Sequence, residues 1–130
     1  MTPEDLEIVR RGYAAFAGGD MDTLRGLLAP DIEWRTTPEV PFLGTYRGLD
    51  EFFAGMSDFT ASFGDDVTTD VEEIIDAGER AVVRHRMRGQ GTDSGAPVDL
   101  VLWQVVSVRD GKIARMHDYL TGDEALEAAR

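Results

Sequence analysis

The chain contains no cysteine, so disulfides, thiol nucleophiles and thiolate metal sites are excluded. No run approaches the roughly 18 uninterrupted apolar residues that a membrane helix needs. The opening Met1-Thr2-Pro3-Glu4-Asp5 lacks the basic segment of a secretory leader, and a cytoplasmic protein is the expectation. Basic residues are scarce: 13 face 25 acids, for a net charge of −12. Like-charge repulsion argues against nucleic acid and anionic membrane surfaces as partners. Histidine is limited to His85 and His117, with no His-x-x-x-His or acid-rich ligand pattern around either. No metal and no cofactor is expected. The glycines of Gly89–Gly95 are not followed by a helix or a Lys-Ser/Thr pair, so they do not read as a phosphate loop.

What is present suits one ordinary globular domain. At 130 residues and 42% hydrophobic, the chain is long enough to bury its own core, and residues 1–130 read as a single domain. Thr2-Pro3-Glu4-Asp5 is a helix start, with a capping hydroxyl, a proline at the first helical position and acids at the positive end of the dipole. Leu6, Val9, Tyr13 and Phe16 then recur at helical spacing. Gly18-Gly19 ends that helix. Asp20 caps a shorter one carrying Met21, Leu24, Leu27 and Leu28, which Pro30 closes. Ile32, Trp34 and Thr36 alternate with charged residues as a short strand. Pro38 and Pro41 impose an irregular segment through Gly44 and Gly48. A third helix follows, with Leu49, Phe52, Phe53, Met56 and Phe59 near one face.

From Val67 the pattern turns to strands at 67–76, 80–88, 98–108 and 112–120. Asp76–Glu79 reads as a turn and Asp110-Gly111 as a hairpin signal. Residues 122–130 form either a short helix or a frayed end. Helices first and strands later predict an α+β fold. Three N-terminal helices would wrap a strongly bent antiparallel sheet, a cone enclosing a cavity. The eight acids from Asp58 to Glu79 have no base among them and read as a solvated face. Arg84, Arg86 and Arg88 would pair with them across neighbouring strands.

Several short motifs are similar to those of a known family. They are Tyr13-Ala14-Ala15-Phe16, Gly19-Asp20 and Leu27-Leu28-Ala29-Pro30-Asp31-Ile32-Glu33-Trp34, then Pro41-Phe42-Leu43-Gly44-Thr45-Tyr46-Arg47-Gly48. Ser94-Gly95-Ala96-Pro97-Val98-Asp99, Arg109-Asp110-Gly111-Lys112-Ile113 and His117-Asp118-Tyr119 complete the set. Together they resemble SnoaL-like polyketide cyclase domains over nearly the whole chain. The wider group is nuclear-transport-factor-like and includes ketosteroid isomerases, limonene-epoxide hydrolases and scytalone dehydratases. The resemblance implies the cone fold and a homodimer through the outer sheet face. Because the fold hosts many activities, function rests on the pocket residues.

Asp118 is the leading catalytic candidate. Its phase places it with Ala114, Met116 and Leu120, and an inward carboxyl there would be desolvated toward the range of a general acid or base. In SnoaL-like cyclases an acid at the matching position is taken as the acid/base. The competing reading is a carboxylate paired with arginine across the sheet. His85 shares a face with Val83 and Met87, either as an acid–base partner of Asp118 or as a satisfied core histidine. His117 falls on the opposite strand face. Tyr13 resembles the oxyanion-binding tyrosine of ketosteroid isomerases, and its other reading is helix-face core. The isomerase base position falls near Thr36 and the second oxyanion acid near Trp103, neither a carboxylic acid. The epoxide-hydrolase Arg-x-Asp is replaced by Arg84-His85-Arg86-Met87.

Trp34, Phe42, Phe52, Phe59 and Trp103, with Phe53, Met87 and Met116, form either ordinary core or the wall of a cavity for a flat, apolar, even polycyclic ligand. The sequence thus points to a pocket protein acting by cofactor-free acid/base chemistry, an isomerisation or cyclisation, on a small hydrophobic carbonyl compound. A non-catalytic binding or dimerisation domain is the alternative, and a hydrolase or dehydratase on the same cone a further one.

Overall fold

Helix α1 (Pro3–Ala17) starts where the sequence places it, because Thr2 and Asp5 cap each other's backbone N–H groups. The computed structural model describes residues 1–37, 39, 44–64, 66–91 and 95–130. Pro38, Pro41, Phe42, Leu43 and Ser94, named above, lie outside them. Val9, Gly12 and Tyr13 form the buried face of α1. Asp20 caps α2 (Met21–Leu27) through the Thr23 N–H. Leu28, expected on this helix, instead opens strand β1 (Leu28–Arg35). Pro30 disfavours helical backbone at the residue before it, so the chain is already extended there.

Strand β2 (Thr45–Arg47) and helix α3 (Gly48–Ala61) follow. Then come β3 (Thr68–Asp76), β4 (Ala81–Gln90), β5 (Pro97–Arg109), β6 (Lys112–Tyr119) and α4 (Gly122–Ala128). The β5–β6 turn is the expected Asp110-Gly111 hairpin, with positive φ at both residues, 52° and 75°. Thr121 caps α4, so the end of the chain is helical.

The fold is α+β, and its sheet runs β2-β1-β6-β5-β4-β3. Neighbours are antiparallel except β1 and β6, which pair in parallel. The sheet is therefore mixed, not wholly antiparallel as the sequence suggests. Tight hairpins force antiparallel neighbours, but the long connection from β1 to β6 carries no such constraint.

Alternation assigns the two faces. Val83 and Met87 of β4 and Leu102 of β5 join Val9 and Tyr13 of α1 and Phe52 and Phe59 of α3 in the main core. Val82 and Val105 point the other way, where Ala125 and Ala129 cover them. The β5–β6 ladder slips once: Ser107 opposes Arg115, but Val108 opposes Ile113. Ala114 is the extra residue of a bulge. Ile113 and Met116 consequently both face the helices, although they are three residues apart. This breaks the expected in-phase set of Ala114, Met116, Asp118 and Leu120. Leu120 lies beyond the strand and is 37% exposed.

Arg84 and Arg86 pair with the acidic segment as expected, whereas Arg88 pairs with Asp99, outside it. Arg84 and Arg86 reach Glu72 of β3, and Arg86 and Arg88 reach Asp99 of β5. Among the described residues, no helix is long and apolar enough to cross a membrane.

Candidate functional site

A cavity of about 60 Å³ lies between the sheet and helices α1 and α3. Its apolar wall includes Trp34, Phe52 and Phe59 with Met87, Leu102 and Met116. Trp34 anchors the aromatic cluster, with its ring 5.7 Å from Phe52 and 6.1 Å from Phe59. Phe16 and Met56 line this cavity and also an outer groove of about 600 Å³ between α1, α3 and β3. They form the partition between the two spaces. A dry cavity that holds benzene measures about 150 Å³. The inner space is well below that, so a polycyclic ligand does not fit unless the partition moves.

The polar part of the wall is a chain of hydrogen bonds that starts on α1. Tyr13 Oη donates to Gln104 Oε1 at 2.6 Å. Gln104 Nε2 donates to Asp118 Oδ1 at 2.8 Å. Trp34 Nε1 donates to Asp118 Oδ2 at 3.0 Å. Sheet register builds this chain, because Gln104 and Asp118 are direct cross-strand partners. Asp118 is 2% exposed and sits behind the lining residues Trp34 and Gln104, both of which face the cavity. Burial pushes its carboxyl up to about 6, with the bonds from Gln104 and Trp34 opposing the rise. The Tyr13 hydroxyl is also raised, first by burial and then by the nearby Asp118 charge.

His85 completes the polar wall. Its ring lies edge-on to Tyr13 at 5.2 Å and to Phe16 at 5.8 Å. It is 5% exposed and lines the cavity, and among the described residues nothing hydrogen-bonds its ring nitrogens. Burial holds it down to about 4, with Asp70 on β3 pulling weakly the other way. At neutral pH it is an uncharged imidazole offering one donor and one acceptor.

The structure thus gathers Tyr13, His85, Trp34, Phe52, Phe59, Met87 and Met116 around one space, with Asp118 directly behind it. Trp103 is not there. It is out of phase with Leu102 and Gln104 and packs under α4, where a Cβ at Gly122 would lie 3.1 Å from its ring. The Arg84 guanidinium lies 5.4 Å from that ring on the same face. His117 is also on the outer side, its Nδ1 3.1 Å from the Tyr119 hydroxyl. Gln104 escaped the sequence reading. The available signal was a lone amide in phase with Leu102 and Val106 in an otherwise apolar strand. Among the described residues, no three His, Asp or Glu side chains cluster as a metal site requires.

The chain has relatives in sequence and in fold. An uncharacterized protein of Mycobacterium tuberculosis is 30% identical over 125 residues, covering 95% of this chain and 94% of that protein. The structure of Bal32a, from a soil-derived mobile gene cassette, superposes with a TM-score of 0.81 at 24% identity, covering 96% and 95% of the two chains. An NTF2-like protein of Burkholderia thailandensis superposes with a TM-score of 0.80 at 26% identity, covering 97% and 98%. The family model described as SnoaL-like domain matches residues 9–116, and the chain belongs to that family.

Proposed function

We propose that the cavity takes a small, mostly apolar carbonyl compound and acts on it by cofactor-free general acid/base chemistry. The observation carrying this reading is the His85 imidazole, buried, uncharged and without a hydrogen-bond partner among the described residues, beside the Tyr13 hydroxyl in an apolar hollow. A base of this weak kind takes a carbon-bound proton when a donor stabilises the oxygen that becomes negative. In the proposed step His85 removes a proton from the carbon next to the carbonyl. The electron pair moves onto oxygen, which Tyr13 stabilises only when its proton turns from Gln104 to the cavity, and the proton returns to carbon. Asp118 acts through Gln104 instead of on the ligand, since its two oxygens are already bonded.

Exchange of the α-protons of acetone, small enough for the inner space, in deuterated water, followed by NMR, tests this. The wild-type protein should accelerate exchange, and His85→Leu should lower the acceleration by at least about a hundredfold. Binding without acceleration would favour the non-catalytic binding reading, which the engaged oxygens of Asp118 also favour. A homodimer through the outer sheet face belongs to the same proposal. Half-buried Val101, Trp103 and Tyr119 lend that face apolar area, and sedimentation measures the state.

A further inference from the structure

We propose that Gln104 determines which ligand oxygen the cavity accepts. Its amide turns over with the charge on Asp118 and so reverses the hydrogen bond that Tyr13 offers. The inference rests on the cavity being a ligand site, as proposed above.

With Asp118 ionised, both of its oxygens are acceptors. Trp34 Nε1 supplies one donor and Gln104 Nε2 the other. Gln104 must then turn Oε1 toward Tyr13, and the single Tyr13 hydroxyl proton goes to it. The hydroxyl shows only lone pairs to the cavity. A ligand hydroxyl or N–H is satisfied there, but a ligand carbonyl is not.

Protonating Asp118 reverses this. Indole N–H can only donate and cannot take the carboxyl proton, so the proton goes to Oδ1, where the Gln104 amide carries an oxygen able to accept it. That proton meets the Gln104 amino group, donor against donor, in a buried place where an unmade bond is costly. Rotation of the amide by half a turn removes the conflict. Oε1 then accepts from Asp118, Nε2 donates to Tyr13 Oη, and the Tyr13 proton is released toward the cavity. The site now favours a carbonyl oxygen, and no net proton crosses Gln104.

Few other ionisable groups face this chain. Tyr13 comes from α1 and His85 from β4, and Tyr46 of β2 stacks 5.2 Å from Trp34. Asp70 of β3 acts on His85, while His117 and Tyr119 of β6 lie on the outer side. Burial keeps His85 uncharged above about pH 4, so Asp118 is the group whose charge changes near pH 6.

NMR of the isotope-labelled whole protein reads the switch without a ligand. The Asp118 carboxyl carbon should titrate, and at the same midpoint the Gln104 side-chain amide protons should exchange proximity to the Trp34 indole proton for proximity to the Tyr13 ring. Asp118→Asn can donate to Gln104 at every pH and should show the low-pH pattern throughout. Acetone, which only accepts, should bind about tenfold tighter at pH 5 than at pH 8. Tyr13→Phe should abolish that preference, and Asp118→Asn should bind equally at both pH values. Amide contacts that stay fixed while Asp118 titrates, or a carboxyl that does not titrate between about pH 4 and 8, would overturn the proposal. A swap with no acetone binding at either pH would retain the switch and overturn the ligand assignment.

Discussion

Trp34 and Asp118, 84 residues apart in sequence, meet at 3.0 Å through an indole N–H and a carboxylate oxygen, with both side chains buried. The bond makes Trp34 a built-in reporter of that carboxyl. In a Trp103→Phe background, which leaves Trp34 as the single tryptophan, fluorescence should change with a midpoint near pH 6. Adding Asp118→Asn should flatten the curve. A curve that survives this replacement would mean that another group is being read.

Stability should carry an opposed pair of pH slopes. Folded Asp118 keeps its proton up to about pH 6, whereas its ordinary value is 3.8. The native state therefore binds the extra proton in that window, and this group's contribution falls as pH rises through it. Folded His85 loses its proton at about 4, whereas its ordinary value is 6.5. The unfolded state binds the extra proton there, so this contribution rises with pH. Each shift of roughly two units corresponds to about 3 kcal/mol, and the two nearly cancel. Urea unfolding from pH 4 to 7 should show that, relative to wild type, Asp118→Asn gains stability as pH rises and His85→Leu loses it. Parallel slopes in the two variants would contradict the assignment.

The partition between cavity and groove gives a third test. Met56→Ala should join the two spaces, because Met56 and Phe16 are the residues they share. The cost should be about 1–3 kcal/mol, below a full core truncation because Met56 is only partly buried. Toluene, larger than the inner space, should bind the variant at least about tenfold more tightly than wild type by NMR titration. Equal binding would mean that the wall opens elsewhere.

Much of this site was written in local sequence. The Thr2–Asp5 box, the Asp110-Gly111 hairpin and the phase of His85 with Val83 and Met87 depend on near neighbours, and they stand as the pattern implies. What escaped depends on distant partners. The parallel pairing of β1 with β6 has no local signal. The bulge at Ala114 shifts the phase of β6 midway, which a strict two-residue alternation cannot foresee. Trp103 looked like cavity wall because its partner face, α4, was left undecided in the sequence. Gln104 went unnoticed because an amide matters only once its two neighbours, from α1 and β6, are known.

The parallel contact of β1 with β6 also governs how the protein is born. During synthesis β1 and β2 leave the ribosome before β6, and the β1 edge that will hold β6 stays bare until β3, β4 and β5 have also been made. Distant pairing of this kind slows folding, and a bare edge can recruit a neighbouring nascent chain. A polypeptide stalled before β6 therefore carries Trp34, Tyr13 and His85 but lacks the carboxyl that orients Gln104.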